Sequence, residues 1–378
     1  MPGTKLNRRQ FCKSAIGLGA AMNLTALGVP LGKARARDLR RKRPLPGTRG
    51  PAEVSMVSAP TAEEGMSRAV DRIDGWSFLT PGSTVLVKPS SNSGNPYPFN
   101  TSPAAVHWTV ERLYEAGAGH VIVADQSYYI TSTETNMKNN GIYDAATAAG
   151  AEVLYLENRS WLAVHDEQAG TWEGVFHLSD ILEEVDHIVS LPRISTHIDS
   201  GFTIALKIWV GTLDPEDRKR MHFTYRLKLD HCLAELSLGV RADLSVIDAT
   251  SINTRYGPDS GEAVPAGVFM AARDPLAMDV AAVALLKSII QMTGSEDCEG
   301  RDPILCDPAK SIWSFWQIWR AVELGIGIAG PGELTLLTNA AEPGGLDPLV
   351  EERVLAEIAH VQAPALPWAC FIDTALRD

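Results

Sequence analysis

The chain has 378 residues, 45% of them hydrophobic and 21% charged, which is enough to bury a large core. Lys and Arg number 34 against 46 Asp and Glu, a formal net charge of −12; an acidic balance of this size argues against nucleic acid as the main partner, because phosphate recognition needs clustered positive charge. The five cysteines form no C-x-x-C pair, which removes the usual ligand spacing for an iron–sulfur cluster or a structural zinc.

The N-terminus orders three segments: Asn7-Arg8-Arg9-Gln10-Phe11-Cys12-Lys13, an apolar stretch over 15–31, and Ala34-Arg35-Ala36. This order resembles a twin-arginine export signal, with Ala34 and Ala36 as the small side chains a signal peptidase needs. It predicts the twin-arginine translocase as a partner, cleavage after Ala36 and a periplasmic or otherwise exported mature protein. The apolar stretch is shorter than the ~20 residues a span needs and contains Gly17, Gly19, Asn23, Thr25, Gly28 and Pro30, so no permanent membrane span is expected after cleavage. Loss of residues 1–36 removes Lys5, Arg8, Arg9, Lys13, Lys33 and Arg35 and no acidic residue, taking the net charge to −18. Residues 37–52, with a basic run ending in Pro44, Pro46 and Gly47, read as a solvated linker.

From residue 53 to 378 the pattern predicts a single large α/β domain, or two closely joined lobes. It is a mostly parallel sheet with helices on both faces, because short β-branched runs alternate with longer amphipathic segments. Continuous apolar strands are expected at 84–88, 120–125, 187–192 and 244–248, as when helices cover both faces. Helices are expected at 102–116, stopped by Gly117, at 141–149, at 275–290 with Asp274 as N-cap, and at 349–360, with a further strand at 333–337. Trp313, Phe315, Trp316 and Trp319 read as an aromatic stripe facing the core.

Ligands of open parallel sheets bind outside the carboxyl ends of the strands, where loops and helix N-termini converge. Those ends supply Lys88 and Asn92, then Asp125 and Ser127, then Arg193, Thr196 and His197, then Asp248. Lys207, flanked by Ala205, Leu206, Ile208 and Trp209, either snorkels to the surface or is held in a pocket with a partner. His197 is a satisfied structural residue or an acid/base group on a polar loop. His222 and His231 are nine residues apart in a helical-looking stretch, which is not the spacing of a paired helical metal site. Asp279 lies inside an apolar helix and needs a partner. The pattern Gly257-Pro258-Asp259-Ser260-Gly261 lacks both the Walker and the Rossmann fingerprints, and no G-x-S-x-G occurs. Cys298 and Cys306 form a disulfide or stay as thiols.

Several blocks in order resemble the family known as domain of unknown function 362. Val85 to Ser90 is similar to its strand-Lys-Pro-Asn opening, residues 100–118 to its Thr-x-Pro helix ending in Glu-Ala-Gly-Ala, and Val121 to Asp125 to its strand ending in Asp. Residues 191–197 are similar to Pro-Lys-x-Lys-Thr-His, 204–211 to Ala-Leu-Lys-Asn-x-x-Gly, 244–249 to Val-Val-Asp-Ala, and 274–279 to Asp-Pro-Val-Ala-x-Asp. Coverage runs over about 54–286. Ser90 stands where the family has Asn, Arg193 and Ser195 replace two lysines, and Ile208 replaces the Asn after Lys207. The resemblance implies a site at these positions and places Lys207 in a pocket.

Two readings stand at this point. In the first, Lys88, Arg193 and Lys207 bind a small anionic, carboxylate-type molecule, and His197 and Lys207 pass a proton on it as an isomerase does, by loose fold-level analogy with metal-assisted lactate-type racemases. Lys88, Lys207 and His197 are then catalytic, and Asn92, Asp125, Arg193, Thr196, Asp248 and Asp279 surround the ligand. In the second, the protein is an accessory that carries a divalent metal or another cofactor without turnover, with Asp125, His197, His222 and Asp248 as donors.

Overall fold

The computed structural model describes residues 37–39, 45, 50–293 and 297–363. The expected export signal, its cleavage site after Ala36, and Cys12 and Cys370 lie outside the described residues. So does most of the basic run.

The chain runs through β1 (Arg37–Asp38), β2 (Ala52–Val57), α1 (Ala62–Asp71), β3 (Thr84–Pro89), α2 (Pro103–Glu115), β4 (His120–Asp125), α3 (Thr133–Asn139), α4 (Ile142–Ala148) and β5 (Glu152–Tyr155). There follow β6 (Trp161–His165), β7 (Val175–Ser179), β8 (His187–Leu191), β9 (Ser195–His197), β10 (Gly201–Thr203), a 3₁₀ turn (Lys207–Thr212), α5 (Pro215–Phe223) and α6 (Leu229–Glu235). The last part holds β11 (Leu244–Asn253), β12 (Ala263–Ala272), α7 (Pro275–Met292), α8 (Trp316–Leu324), β13 (Leu334–Thr338) and α9 (Pro348–Ala359).

The main sheet has the order β13-β2-β12-β11-β8-β3-β4-β5. Every neighbouring pair is parallel except the two made by β12, which runs antiparallel to β2 and β11. Alternate side chains of each strand enter opposite cores. Met270 packs with α7, α8 and α9 on one face, while Phe269 packs with α1, α2 and α4 on the other. Leu86, Ile122 and Ile188 meet α6 and the small sheet β1-β6-β7 in a third cluster. This is the expected α/β architecture, and the described residues form one compact unit.

Local signals work as read. Ser102 accepts a hydrogen bond from Ala105 N–H at the start of α2, and Asp274 accepts one from Ala277 N–H at the start of α7. Gly117 takes φ +102 just past α2, where a side chain would be strained. Helix α7 is long and apolar enough to cross a membrane, but 83% of that stretch is buried inside the fold, as a core helix is.

Four expectations change. Part of the expected linker is structure, since Arg37 and Asp38 pair in parallel with Leu162 and Ala163, and β2 begins at Ala52. The stretch holding His222 and His231 is broken into α5 and α6 by a turn at Arg226–Lys228. Strand β11 continues to Asn253, so Asp248 lies within it, opposite Phe269, and not at its end. In the aromatic stripe Trp313 and Phe315 are buried, whereas Trp316 and Trp319 are half-buried.

Candidate functional site

Parallel β3, β4 and β8 end side by side, and their carboxyl ends open into a cavity of about 250 Å³. That is near the low end of the ~300–1,000 Å³ typical of small-molecule sites. Lys88, Asn92, Asp125, Arg193, His197, Lys207 and His222 all line it, together with Gln126, Arg218 and Asp259.

Lys88 extends from the end of β3 and its Nζ donates to Asp125 Oδ1 at 2.5 Å and to the Pro89 carbonyl at 2.9 Å. Asp125 also accepts the N–H groups of Ser91 and Gln126. Burial pulls Lys88 below the ordinary lysine range, opposed by the Asp125 charge and hydrogen bond. Gly211 makes room for this pair: a β-carbon there would stand 2.6 Å from Lys88 Nζ and closer still to Asp125 Oδ1.

Arg193 follows β8, donates to the Pro258 carbonyl at 2.9 Å and lies 3.9 Å from Asp259. Burial lowers its pKa to about 10, so it stays charged at neutral pH. Arg218 comes from the first turns of α5 and donates to the Ser127 carbonyl and to Asn92 Oδ1. Its Nε has no hydrogen-bond partner among the described residues. The amide of Asn92 donates to both oxygens of Asp259. Gln126 is buried and lines the cavity, with neither amide atom hydrogen-bonded among the described residues. Such a group favours a ligand that offers both a donor and an acceptor.

The polar loop expected around His197 is a hairpin, β9 and β10, turned at residues 198–200. The N–H groups of Asp199 and Ser200 both donate to His197 Nδ1, at 3.1 and 3.3 Å. Two donors on Nδ1 require the neutral ring to carry its proton on Nε2. Burial, then the charges of Lys207 and Arg193, hold its pKa well below the ordinary histidine value. His197 is therefore a neutral hydrogen-bond donor at Nε2. Burial and Lys207 also lower His222, to about 4.

Lys207 opens the 3₁₀ turn and is held in the pocket, 8% exposed, with Nζ donating to Ser200 Oγ at 2.8 Å. Among the described residues no carboxylate comes within ion-pair distance of it. Burial lowers its pKa to about 7, with Asp230 and Asp199 opposing and Arg218 and Arg193 assisting. Asp279 sets this turn, accepting the N–H groups of Ala205 at 2.6 Å and Leu206 at 3.3 Å.

Three expected ligand residues do not line the cavity. Thr196 neighbours His197 on a strand and points the other way, where its Oγ1 accepts the Gly257 N–H. Asp248 is occupied by Thr250 N–H and Oγ1–H and by the Tyr97 hydroxyl. Asp279 is fully buried under the Lys207 turn. The metal set also fails to form. Among the described residues no three His, Cys, Asp or Glu side chains come together to hold a metal ion, because Asp125 is committed to Lys88 and His197 turns Nδ1 to the backbone. Arg218, Gln126 and Asp259 were not anticipated; Arg218 lies in an unremarkable charged run, and Asp259 only in a turn-rich segment.

A model of the family described as Domain of unknown function (DUF362) matches residues 85–284, more than half of the 378-residue chain. The chain belongs to DUF362. The match spans β3 to α7, and so the whole cavity lining of this DUF362 protein. No curated protein matches it. Solved structures with partial likeness include a structural-genomics target from Thermotoga maritima, at 14% identity and TM-score 0.36, covering 55% of this chain and 54% of that one. The lactate racemase apoprotein from Thermoanaerobacterium thermosaccharolyticum is another, at 12% identity and TM-score 0.37, covering 54% and 51%. The chain spans about half the length of each. Likeness at that level carries no argument about chemistry.

Proposed function

We propose that this DUF362 protein is an exported, enzyme-like α/β protein whose cavity binds a small carboxylate-bearing molecule and transfers a proton on it. One observation carries the reading: four cationic side chains, Lys88, Arg193, Lys207 and Arg218, converge on one cavity of an acidic protein, and Lys88 alone among them is tightly ion-paired. Arg193 and Arg218 are the anion holders, since a guanidinium presents the fork that a carboxylate accepts. Lys207 is the proton-transfer group because a base works best with a pKa near the operating pH. His197 Nε2–H stabilises negative charge that develops on the substrate oxygen. Export follows from the Arg8-Arg9 motif and is supported by the Cys298–Cys306 disulfide, a bond that persists in oxidising compartments.

The test is proton exchange. The mature protein in D₂O with a panel of small 2-hydroxy, 2-amino and 2-oxo carboxylates should wash deuterium into the α position of at least one, read by proton NMR. Lys207→Ala should abolish this while a folded spectrum is retained. Exchange that persists in Lys207→Ala removes Lys207 as the base, and a protein that binds none of these anions removes the whole reading.

A further inference from the structure

Three lysines are buried among the described residues, and their surroundings differ in kind. Lys88 meets Asp125 at 2.5 Å and Lys287 meets Glu357 at 2.9 Å, so each has a carboxylate in ion-pair contact. Lys207 has only the Ser200 hydroxyl, and it alone combines a neutral partner with a place on the cavity wall beside two arginines. A buried lysine with cationic neighbours and no carboxylate in ion-pair contact is the arrangement that frees the amine lone pair for attack on carbon.

We propose that Lys207 is an amine nucleophile that forms an imine with the carbonyl carbon of a small 2-oxo acid whose carboxylate Arg193 and Arg218 hold. This rests on the anion-binding reading above and names the substrate class and a covalent step for that site. The neutral amine adds to the carbonyl carbon, forming a C–N bond as the C=O π pair moves to oxygen, and proton transfer from nitrogen to that oxygen gives a carbinolamine. Its hydroxyl then takes a proton and leaves as water, the nitrogen lone pair forms C=N, and no electrons are gained or lost overall. His197 Nε2–H is a donor suited to the carbonyl oxygen during addition. Gln126, whose amide donor and acceptor have no partner among the described residues, is suited to the carbinolamine hydroxyl. The lowered pKa of Lys207, about 7, leaves a large share of it neutral at physiological pH, where an ordinary lysine is almost wholly protonated.

The experiment traps the imine. Mature wild-type protein is incubated with pyruvate or glyoxylate, reduced with sodium cyanoborohydride, and read by intact mass and peptide mapping, with lactate, which has no ketone or aldehyde carbonyl, as the control. The expected result is one reduced adduct per chain on Lys207, absent with lactate and absent in Lys207→Arg. Mapping on the wild type keeps the result independent of whether the variant folds. Calorimetric binding of pyruvate is measured alongside. Binding with no adduct, or with adducts spread over exposed lysines such as Lys138 and Lys228, overturns the imine while sparing the anion site. Absence of binding overturns both.

Discussion

Lys88 Nζ and Asp125 Oδ1 meet at 2.5 Å where the parallel neighbours β3 and β4 end, and the pair is closed over by Gly211 of the Lys207 turn. The ion pair thus lines the cavity and packs against that turn.

Gly211→Ala should be one of the most damaging single-methyl changes in the protein, because the new β-carbon falls on the ion pair. Lys88→Met leaves the Asp125 carboxylate buried without its cation, and breaking a buried pair from one side costs ~3–5 kcal/mol. Urea unfolding of both variants should show midpoints well below wild type. A Gly211→Ala midpoint within error of wild type would mean that the turn can move off the pair.

Much of this site was readable from sequence because parallel strands covered on both faces are uninterrupted apolar runs, and their ends are marked by the first polar residue. Lys88, Asp125 and Arg193 were found in that way. Asp248 was misplaced because β11 does not stop where its apolar run stops; pairing with β12 carries it through Thr250 and Ser251 to Asn253. A loop has no fixed faces and so keeps Thr196 beside His197, whereas the hairpin assigns adjacent residues to opposite sides. Arg218 and Gln126 left no signal, since only the packing of α5 against the loop after β4 brings the guanidinium to the Gln126 and Ser127 carbonyls.

Asp279 gives a pH signature whose sign can be worked out. Burial raises its carboxyl from 3.8 to about 8, so the folded state holds the proton more tightly than the unfolded chain. Its contribution to stability is then fully present below about pH 4 and is lost as pH rises through 8. Asp279→Asn cannot ionise, and its side-chain oxygen can still accept from Ala205 and Leu206. The stability of wild type relative to Asp279→Asn should fall between pH 5 and pH 9 in urea titrations. Parallel curves would show that Asp279 is ionised throughout. Asp279→Ala leaves the two N–H groups unsatisfied, at ~1–3 kcal/mol for each lost partner, and should weaken activity through the Lys207 turn.

The disulfide and the proposed export signal can be tested together. Gly300, between Cys298 and Cys306, accepts the Tyr256 N–H, and Arg301 donates to the Thr254 carbonyl, so the bridged segment supports the loop that presents Pro258 and Asp259 to the cavity. Closing so short a loop contributes ~2–3 kcal/mol in the chain-entropy model. Reduction, or Cys298→Ser with Cys306→Ser, should lower thermal stability and loosen anion binding. Arg8→Lys with Arg9→Lys should leave the protein in the cytoplasmic fraction, with Cys298 and Cys306 open to thiol alkylation. Export unchanged in that double variant would remove the twin-arginine route.

Lys207 supplies the prediction that joins stability to chemistry. Its folded pKa is depressed to about 7 from 10.5, so its contribution to stability is present above the ordinary lysine range and is lost as pH falls through 7. Lys207→Met, which never charges, should therefore gain on wild type as pH drops from 9 to 5, measured as the difference in urea midpoints. Proton exchange or imine trapping should move the opposite way, rising with pH through a midpoint near 7 as the amine loses its proton. Wild-type stability and activity then fall together as pH drops, as they would in a general acid loss of structure, and the variant separates the two: a titrating Lys207 lets Lys207→Met gain on wild type, whereas a general loss of structure would leave it no better than wild type at pH 5.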